Sequence, residues 1–82
     1  MLILYFGRLR EAFGCGSEAR AVPQEATVAG LLRELRLRGG VWEKELARDG
    51  TFRVAVDQTV AAVDAPLADA SEVAIFPPVT GG

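Results

Sequence analysis

An amphipathic helix, expected over Val28 to about Arg38, sets the architecture of this chain. Its apolar side chains recur at i, i+3, i+4 and i+7 and so form a single stripe. Thr27 is a suitable N-cap for this helix, and Gly39-Gly40 is expected to end it. Such a stripe must be buried against another layer, and each buried side chain contributes roughly 1.5–3 kcal/mol before entropy is subtracted. The stripe consists of Val28, Leu31, Leu32 and Leu35.

Short strand-like segments supply the second layer. Apolar residues on both faces of the first segment are typical of an interior strand. Pro77-Pro78 must end the last one, because proline has no N–H for the ladder. The order strand, strand, helix, strand, strand, strand predicts an α+β fold of the β-grasp, or ubiquitin-like, type: a mixed five-stranded sheet with one main helix. The expected strands are Leu2–Phe6, Glu18–Val22, Phe52–Val56, Thr59–Val63 and Glu72–Phe76, with a tight hairpin at Asp57-Gln58.

Two shorter helical segments are also expected. Leu9 and Phe13 lie at i, i+4 and predict one helical turn over Arg8–Phe13, and Trp42 with Leu46 predicts a short helix over 41–48. The pairing of Trp42 with Leu46 favours packing over a partner surface. Cys15 could act as a sulfur relay, although a structural or incidental cysteine is the simpler interpretation.

Composition excludes several classes of function. One cysteine among 82 residues cannot form an internal disulfide or a four-thiolate iron–sulfur site. No apolar run approaches the roughly 20 residues of a membrane span, and we expect no signal segment, so a cytoplasmic protein is expected. The net charge of −2 argues against nucleic acid as the main partner. All the basic residues lie within 1–53, and the acidic remainder suggests a basic partner or an ordinary solvated surface.

The C-terminal segment carries the strongest functional signal. Residues 1–78 are predicted to form the β-grasp domain and 79–82 a flexible tail. Two prolines favour polyproline II and direct the tail away from the domain, and four residues at ~3.3–3.6 Å each reach about 13–14 Å. Gly81 and Gly82 lack side chains and so fit a narrow channel. An idle, frayed terminus is the alternative.

The chemistry of the Gly82 carboxyl group depends on other proteins. A carboxylate is ionised at neutral pH and is a poor electrophile. It must first be activated, for example as an acyl-adenylate with ATP, after which a sulfur donor can displace AMP and leave a thiocarboxylate. The chain has no histidine, no phosphate-binding loop motif and no nucleophile–base pair. We therefore expect no bound cofactor and no metal, with ATP used by an activating partner.

Several segments resemble the small subunits of molybdopterin synthase. The most specific is the ending Phe76-Pro77-Pro78-Val79-Thr80-Gly81-Gly82, within a similar stretch that begins at Glu72. The resemblance extends over essentially the whole chain. It is also carried by Tyr5-Phe6-Gly7-Arg8-Leu9-Arg10-Glu11, by Val56-Asp57-Gln58-Thr59-Val60 and by Pro66-Leu67.

The resemblance implies a sulfur-transfer cycle. An E1-like adenylyltransferase would adenylate Gly82, and a sulfur donor (a sulfurtransferase or desulfurase) would convert it to a thioglycine. Val79, Thr80 and Gly81 would thread this terminus into the large synthase subunit, where sulfur passes to precursor Z on the way to molybdopterin. Two small subunits would flank a dimer of large ones in a heterotetramer. The catalytic side chains would belong to the large subunit.

The resemblance also implies a hydrophobic partner interface at Phe6, Val60 and Phe76. Strand parity agrees with it: if Ile3 and Tyr5 face the helix, Phe6 points away. Likewise, Val73 and Ile75 would face the helix, and Ala74 and Phe76 the open side of the sheet. The alternative is that Phe6 and Phe76 pack only on each other or on neighbouring loops.

Three other functions use the same features. A sulfur carrier for thiamine or for tRNA thiolation would share the chemistry at Gly82 and differ in its acceptor. A ubiquitin-like modifier would instead join activated Gly82 to lysines of other proteins. A plain β-grasp binding module would leave the tail idle.

Overall fold

The predicted β-grasp architecture is confirmed in a computed structural model, which describes residues 1–48, 50–70 and 72–78. The strands in these ranges form one mixed sheet in the order β2-β1-β5-β3-β4. Neighbouring strands β1 and β5 are parallel, and the other pairs are antiparallel. The elements are β1 Leu2–Tyr5, α1 Gly7–Phe13, β2 Ser17–Ala19, α2 Val28–Arg36, α3 Gly40–Glu45, β3 Arg53–Val56, β4 Thr59–Ala61 and β5 Glu72–Phe76.

Several element ends differ from the sequence prediction. Strand β2 spans Ser17–Ala19 rather than Glu18–Val22, and α3 spans Gly40–Glu45 rather than 41–48. Strands β1 and β3 are each one residue shorter than expected, and α1 begins one residue earlier.

Helix α2 ends at Arg36 rather than near Arg38, because its last turn tightens: the amide of Arg38 bonds the carbonyl three residues earlier, at 3.1 Å. Strand β4 stops at Ala61 rather than Val63, since the Val63 carbonyl accepts from the Ala29 amide of α2 at 2.8 Å. This second bond satisfies an otherwise unpaired amide in the first turn of the helix.

The hairpin and the helix N-cap follow the prediction. Asp57 and Gln58 have φ values of 47° and 73°, as a two-residue hairpin turn requires. The Thr27 hydroxyl accepts from the Gly30 amide at 3.1 Å and caps α2.

The hydrophobic core lies between the sheet and the helices. Ile3 and Tyr5 from β1 and Val73 and Ile75 from β5 are buried in it, so the predicted strand parity is confirmed. The remaining buried members come from α1, α2, β3 and the connecting segments, and they are Leu9, Val28, Leu31, Leu32, Leu35, Leu46, Val54 and Leu67.

Trp42 packs against the core, as its sequence position suggested. Its ring stacks on Phe13 with centroids 3.9 Å apart and meets Tyr5 edge-on at 5.4 Å. The Arg38 guanidinium lies 4.3 Å from the indole centroid and donates two hydrogen bonds to Glu18, at 2.8 and 2.9 Å. Burial and a hydrogen bond to Glu18 raise the pKa of the Tyr5 hydroxyl. This cluster joins β1, β2, α1 and α3.

The ion pair in this cluster predicts a dependence of stability on pH. Hydrogen bonds from Arg38 hold the pKa of Glu18 below its ordinary value of 4.5. A carboxyl group whose pKa is lower in the folded than in the unfolded chain stabilises the fold above about pH 4.5, where it is ionised. This stabilisation is lost as the pH falls through the pKa of the folded state. We expect urea denaturation to show a smaller loss of stability between about pH 5 and about pH 3 in Glu18→Gln than in the native chain. Glu11→Gln, on an exposed carboxylate, is the control, and an equal change in it would contradict the assignment.

Gly30, in the first turn of α2, has no room for a side chain. A Cβ there would lie 2.0 Å from the backbone oxygen of Glu25. Alanine normally favours a helix over glycine by roughly 0.5–1 kcal/mol, but here the clash with backbone should outweigh it. We expect Gly30→Ala to lower the free energy of unfolding by about 1–3 kcal/mol in chemical denaturation.

Gly16→Ala is the matched control for this substitution. The three atoms nearest to a Cβ at Gly16 would all belong to the flexible end of the Arg10 side chain, with Nε the closest at 3.0 Å. The Arg10 side chain can move aside, so stability should change little. A Gly30→Ala protein as stable as the native chain would contradict the close packing of α2 on the segment before it.

Candidate functional site

The face of the sheet opposite the helices carries a row of apolar side chains, with the exposed side chains of Phe6 and Val60 toward its two ends. The strand register places Leu4, Ala74, Ala55 and Val60 in one row across β1, β5, β3 and β4. Phe76 lies further along β5, opposite Arg53. We call this surface the open face; it comprises Leu4, Phe6, Ala55, Val60, Ala74 and Phe76.

Large apolar side chains on the open face are accessible to solvent. Phe6 is 47% exposed and Val60 is 67% exposed, while Phe76 is half-buried. Within the described ranges, the aromatic ring pairs join only Tyr5, Phe13 and Trp42. Phe6 and Phe76 therefore do not stack on each other. Exposed aromatic and aliphatic side chains that share one face of a sheet are typical of a protein interaction site.

The C-terminal end of β5 lies beside Phe6. Residue Phe6 continues the line of β1, and its amide donates to the Ile75 carbonyl at 3.1 Å. Gly7 follows with φ of +58°, and a Cβ there would lie 3.0 Å from Pro77 Cγ. Glycine at this position therefore allows both the turn into α1 and the close approach of the proline. The end of β5 is thus fixed at one edge of the open face.

The predicted tail residues Val79, Thr80, Gly81 and Gly82 lie outside the described residues. Their assigned roles in threading and sulfur transfer stay predictions. The same holds for the proposed boundary between domain and tail at 78/79. The described chain ends at Pro78, after β5 has stopped at Phe76 as the two prolines predicted.

Cys15 and Arg8 both contact other parts of the domain. Cys15 is half-buried and packs against the core, which favours the structural interpretation. Arg8 contacts the segment around α3: its Nε lies 3.4 Å from a Glu45 carboxylate oxygen, and its Nη2 donates to the Thr51 carbonyl at 3.3 Å. No group of three His, Cys, Asp or Glu side chains converges within 1–48, 50–70 and 72–78.

No helix in the described part of the chain is long and apolar enough to cross a membrane.

Sequence comparison decides the family. The family model for ThiS matches residues 3–82, which is nearly the whole chain and includes Gly82. The chain belongs to the ThiS family. This ThiS-family chain is 40% identical over 81 residues to the molybdopterin synthase sulfur carrier subunit of Escherichia coli, covering 98% of this chain and 96% of that one. A protein of the same name from Haemophilus influenzae is 33% identical over the same coverage. The family resemblance stated from the sequence is confirmed.

Solved structures agree with the fold of this ThiS-family chain. A putative molybdopterin converting factor, subunit 1, from Pyrococcus furiosus superposes with a TM-score of 0.78 at 29% identity, covering 95% of each chain. SAMP1 from Haloferax volcanii gives a TM-score of 0.76 at 29% identity, covering 99% of this chain and 97% of that one. Both likenesses extend over nearly all of the β-grasp domain.

Proposed function

We propose that this chain is the sulfur-carrying small subunit of a molybdopterin synthase. The observation that carries the proposal is the open face, where Phe6 and Val60 are exposed and at whose edge β5 ends. The sequence that follows this strand finishes with Gly81-Gly82. The two relatives described above, which bear the name of that subunit, support it over nearly their full length.

The proposed chemistry takes place at the carboxyl group of Gly82. A carboxylate oxygen attacks the α-phosphorus of ATP in the active site of an E1-like adenylyltransferase, and pyrophosphate leaves. The resulting acyl-adenylate is a competent electrophile, unlike the free carboxylate. The terminal sulfur of a persulfide on a sulfurtransferase or desulfurase then displaces AMP and forms an acyl disulfide. A second thiol attacks the donor-side sulfur of that disulfide, so the S–S bond breaks, the donor leaves as a disulfide and the thiocarboxylate is released. In the large subunit the thiocarboxylate sulfur bonds to precursor Z, and water cleaves the acyl–sulfur bond and returns Gly82 to the carboxylate.

The domain contributes binding and position to this cycle. Phe6, Val60 and Phe76 dock on the partner, because burial of exposed aromatic and aliphatic side chains supplies most of the affinity in such interfaces. The packing of Pro77 on Gly7 fixes the end of β5 at the edge of the open face. Val79, Thr80 and Gly81 then occupy the channel that leads to the partner's active site. The heterotetrameric assembly and the cytoplasmic location expected from the sequence belong to this proposal.

Intact-mass spectrometry tests the sulfur-carrier function. The purified chain is incubated with an E1-like adenylyltransferase, ATP and a sulfur donor, with a known carrier as the positive control. We expect a mass increase that corresponds to the exchange of one oxygen for one sulfur, located by fragmentation at Gly82. No such product, with the positive control converted, would overturn the proposal.

The acceptor is tested separately, because carriers for thiamine or tRNA thiolation would give the same mass change. We expect the large subunit of molybdopterin synthase to co-purify with the tagged chain from its native cell. Recovery of a thiazole synthase instead would retain the carrier chemistry and reject the assigned pathway. Recovery of proteins joined through their lysines to Gly82 would support the modifier alternative.

A further inference from the structure

A second feature is a cleft on the helix side of the sheet. It has a volume of about 370 Å³, and α2, the segment before β3 and the segment after β4 form its walls. Three arginines surround an apolar floor. We call it the arginine cleft, and its principal lining residues are Arg33, Arg36, Arg48, Leu32, Phe52 and Val63.

The fold brings three arginine side chains to the walls of one cleft. Arg33 and Arg36 lie three residues apart on α2 and therefore project from the same side of the helix. Arg48 reaches the cleft from the segment between α3 and β3. Nη1 of Arg36 donates to the Leu46 carbonyl at 3.2 Å, which fixes that side chain against the end of α3.

Most of the hydrogen-bonding capacity of these groups is unused. Each guanidinium has five N–H donors. Arg33 donates to Glu25 at 2.6 Å, and Arg36 makes its bond to Leu46. Arg48 makes no hydrogen bond or ion pair in the part of the chain that the structure describes. An anion in the cleft would accept several of these remaining donors. It would offset the charges of Arg36 and Arg48, whereas Arg33 is already paired with the Glu25 carboxylate and would share its fork between the two.

The floor of the cleft is suited to an apolar group. Leu32 is 3% exposed and closes the base, Phe52 is half-buried, and Val63 is 61% exposed. Small-molecule sites typically combine an apolar lining with a few charged groups in a volume of roughly 300–1,000 Å³. Arginine is the preferred side chain where a planar fork must match phosphate oxygens.

We propose that the arginine cleft binds a small organic phosphate whose remaining part is aromatic or apolar. The phosphate lies among the guanidinium groups of Arg33, Arg36 and Arg48, and the apolar part covers Phe52 and Val63. The cleft lies on the helix side, away from Phe6, Val60 and Phe76, so a ligand there is compatible with a partner on the open face. The inference does not depend on sulfur chemistry at Gly82.

Titration with AMP tests this site, with adenosine and inorganic phosphate as separate arms. Two-dimensional NMR would follow the backbone amides of Ala29 and Leu32 and the arginine Nε–H groups. We expect saturable shifts confined to the cleft with AMP, and binding weaker by about tenfold or more for adenosine and for phosphate alone. The absence of saturation with AMP, or equal binding of AMP and phosphate, would overturn the proposal.

Variants that remove positive charge then test which arginines bind the phosphate group of AMP. Arg33→Gln combined with Arg48→Gln removes two guanidinium groups and leaves the bond from Arg36 to Leu46 in place, so folding should persist. We expect AMP affinity to fall by about tenfold or more. Arg10→Gln combined with Lys44→Gln also removes two positive charges, from α1 and α3 and outside the lining of the cleft, and should leave the affinity nearly unchanged. An equal loss in this control would show that net charge alone is responsible and would reject the site.

Discussion

Deletion of Gly82 should abolish sulfur loading while the domain stays folded. Removal of one residue withdraws the terminal carboxyl group by about 3.3–3.6 Å from the position it must reach in the activating enzyme. Misplacement of reacting groups by about 1 Å can already cost about a hundredfold in rate, so we expect a loss of at least that size. The core extends from Ile3 to Ile75 in the chain, and the deletion removes none of it.

The measurement is intact-mass detection of the thiocarboxylate in a timed reaction, together with a thermal melt. Insertion of one glycine after Pro78 in the truncated chain restores its length and is the matched control. Recovery of loading in that variant would show that reach is the limiting property. A truncated chain that loads sulfur at the native rate would contradict the role of Gly82, and one that unfolds would contradict the placement of the tail outside the domain.

Val60→Asp should disrupt docking of the partner without unfolding the chain. Val60 is 67% exposed at the edge strand β4, so a carboxylate there is hydrated in the free protein. In the complex the same carboxylate would be desolvated against an apolar partner surface. Truncation of residues central to an interface typically costs about 2 kcal/mol or more, so we expect a loss of at least about thirtyfold in affinity for the large synthase subunit.

Leu37→Asp is the matched control for this effect. Leu37 is 80% exposed and directly follows α2, away from the open face, and the substitution makes the same change of an apolar side chain to a carboxylate. Isothermal titration calorimetry with the large subunit would measure both variants. We expect native affinity for Leu37→Asp; equal losses in the two proteins, or no loss for Val60→Asp, would contradict docking through the open face.

The sequence predicted the layers of the fold better than the ends of its elements. The alternation of Ile3 and Tyr5 with their neighbours, and the helical stripe through Leu31 and Leu35, both depend on local periodicity, which a sequence displays directly. The end of β4 depends on a hydrogen bond from Ala29 to Val63, between residues 34 positions apart. Local patterns contain no information on such a bond.

The candidate site divides in the same way. Pro77-Pro78 and Gly81-Gly82 were evident from the sequence, because their chemistry lies in the residue types themselves. The role of Gly7 was not evident, since it arises from the approach of Pro77 across the β1–β5 pair. A glycine between a strand and a helix was the only signal, and it is common in turns.

The sequence by itself determined the β-grasp class and the end of the last strand, and it predicted that the chemistry of the terminal carboxyl group depends on other enzymes. Each of these follows from periodicity, proline geometry or the absence of catalytic side chains. Strand parity in the sequence also placed Phe6 and Phe76 on the side of the sheet away from the helix, and helical spacing placed Arg33 and Arg36 on one side of α2. Only the tertiary structure brought Val60 to the same face and Arg48 to the same cleft. Strand register and helix packing join residues from distant parts of the chain, and sequence spacing carries no information on either.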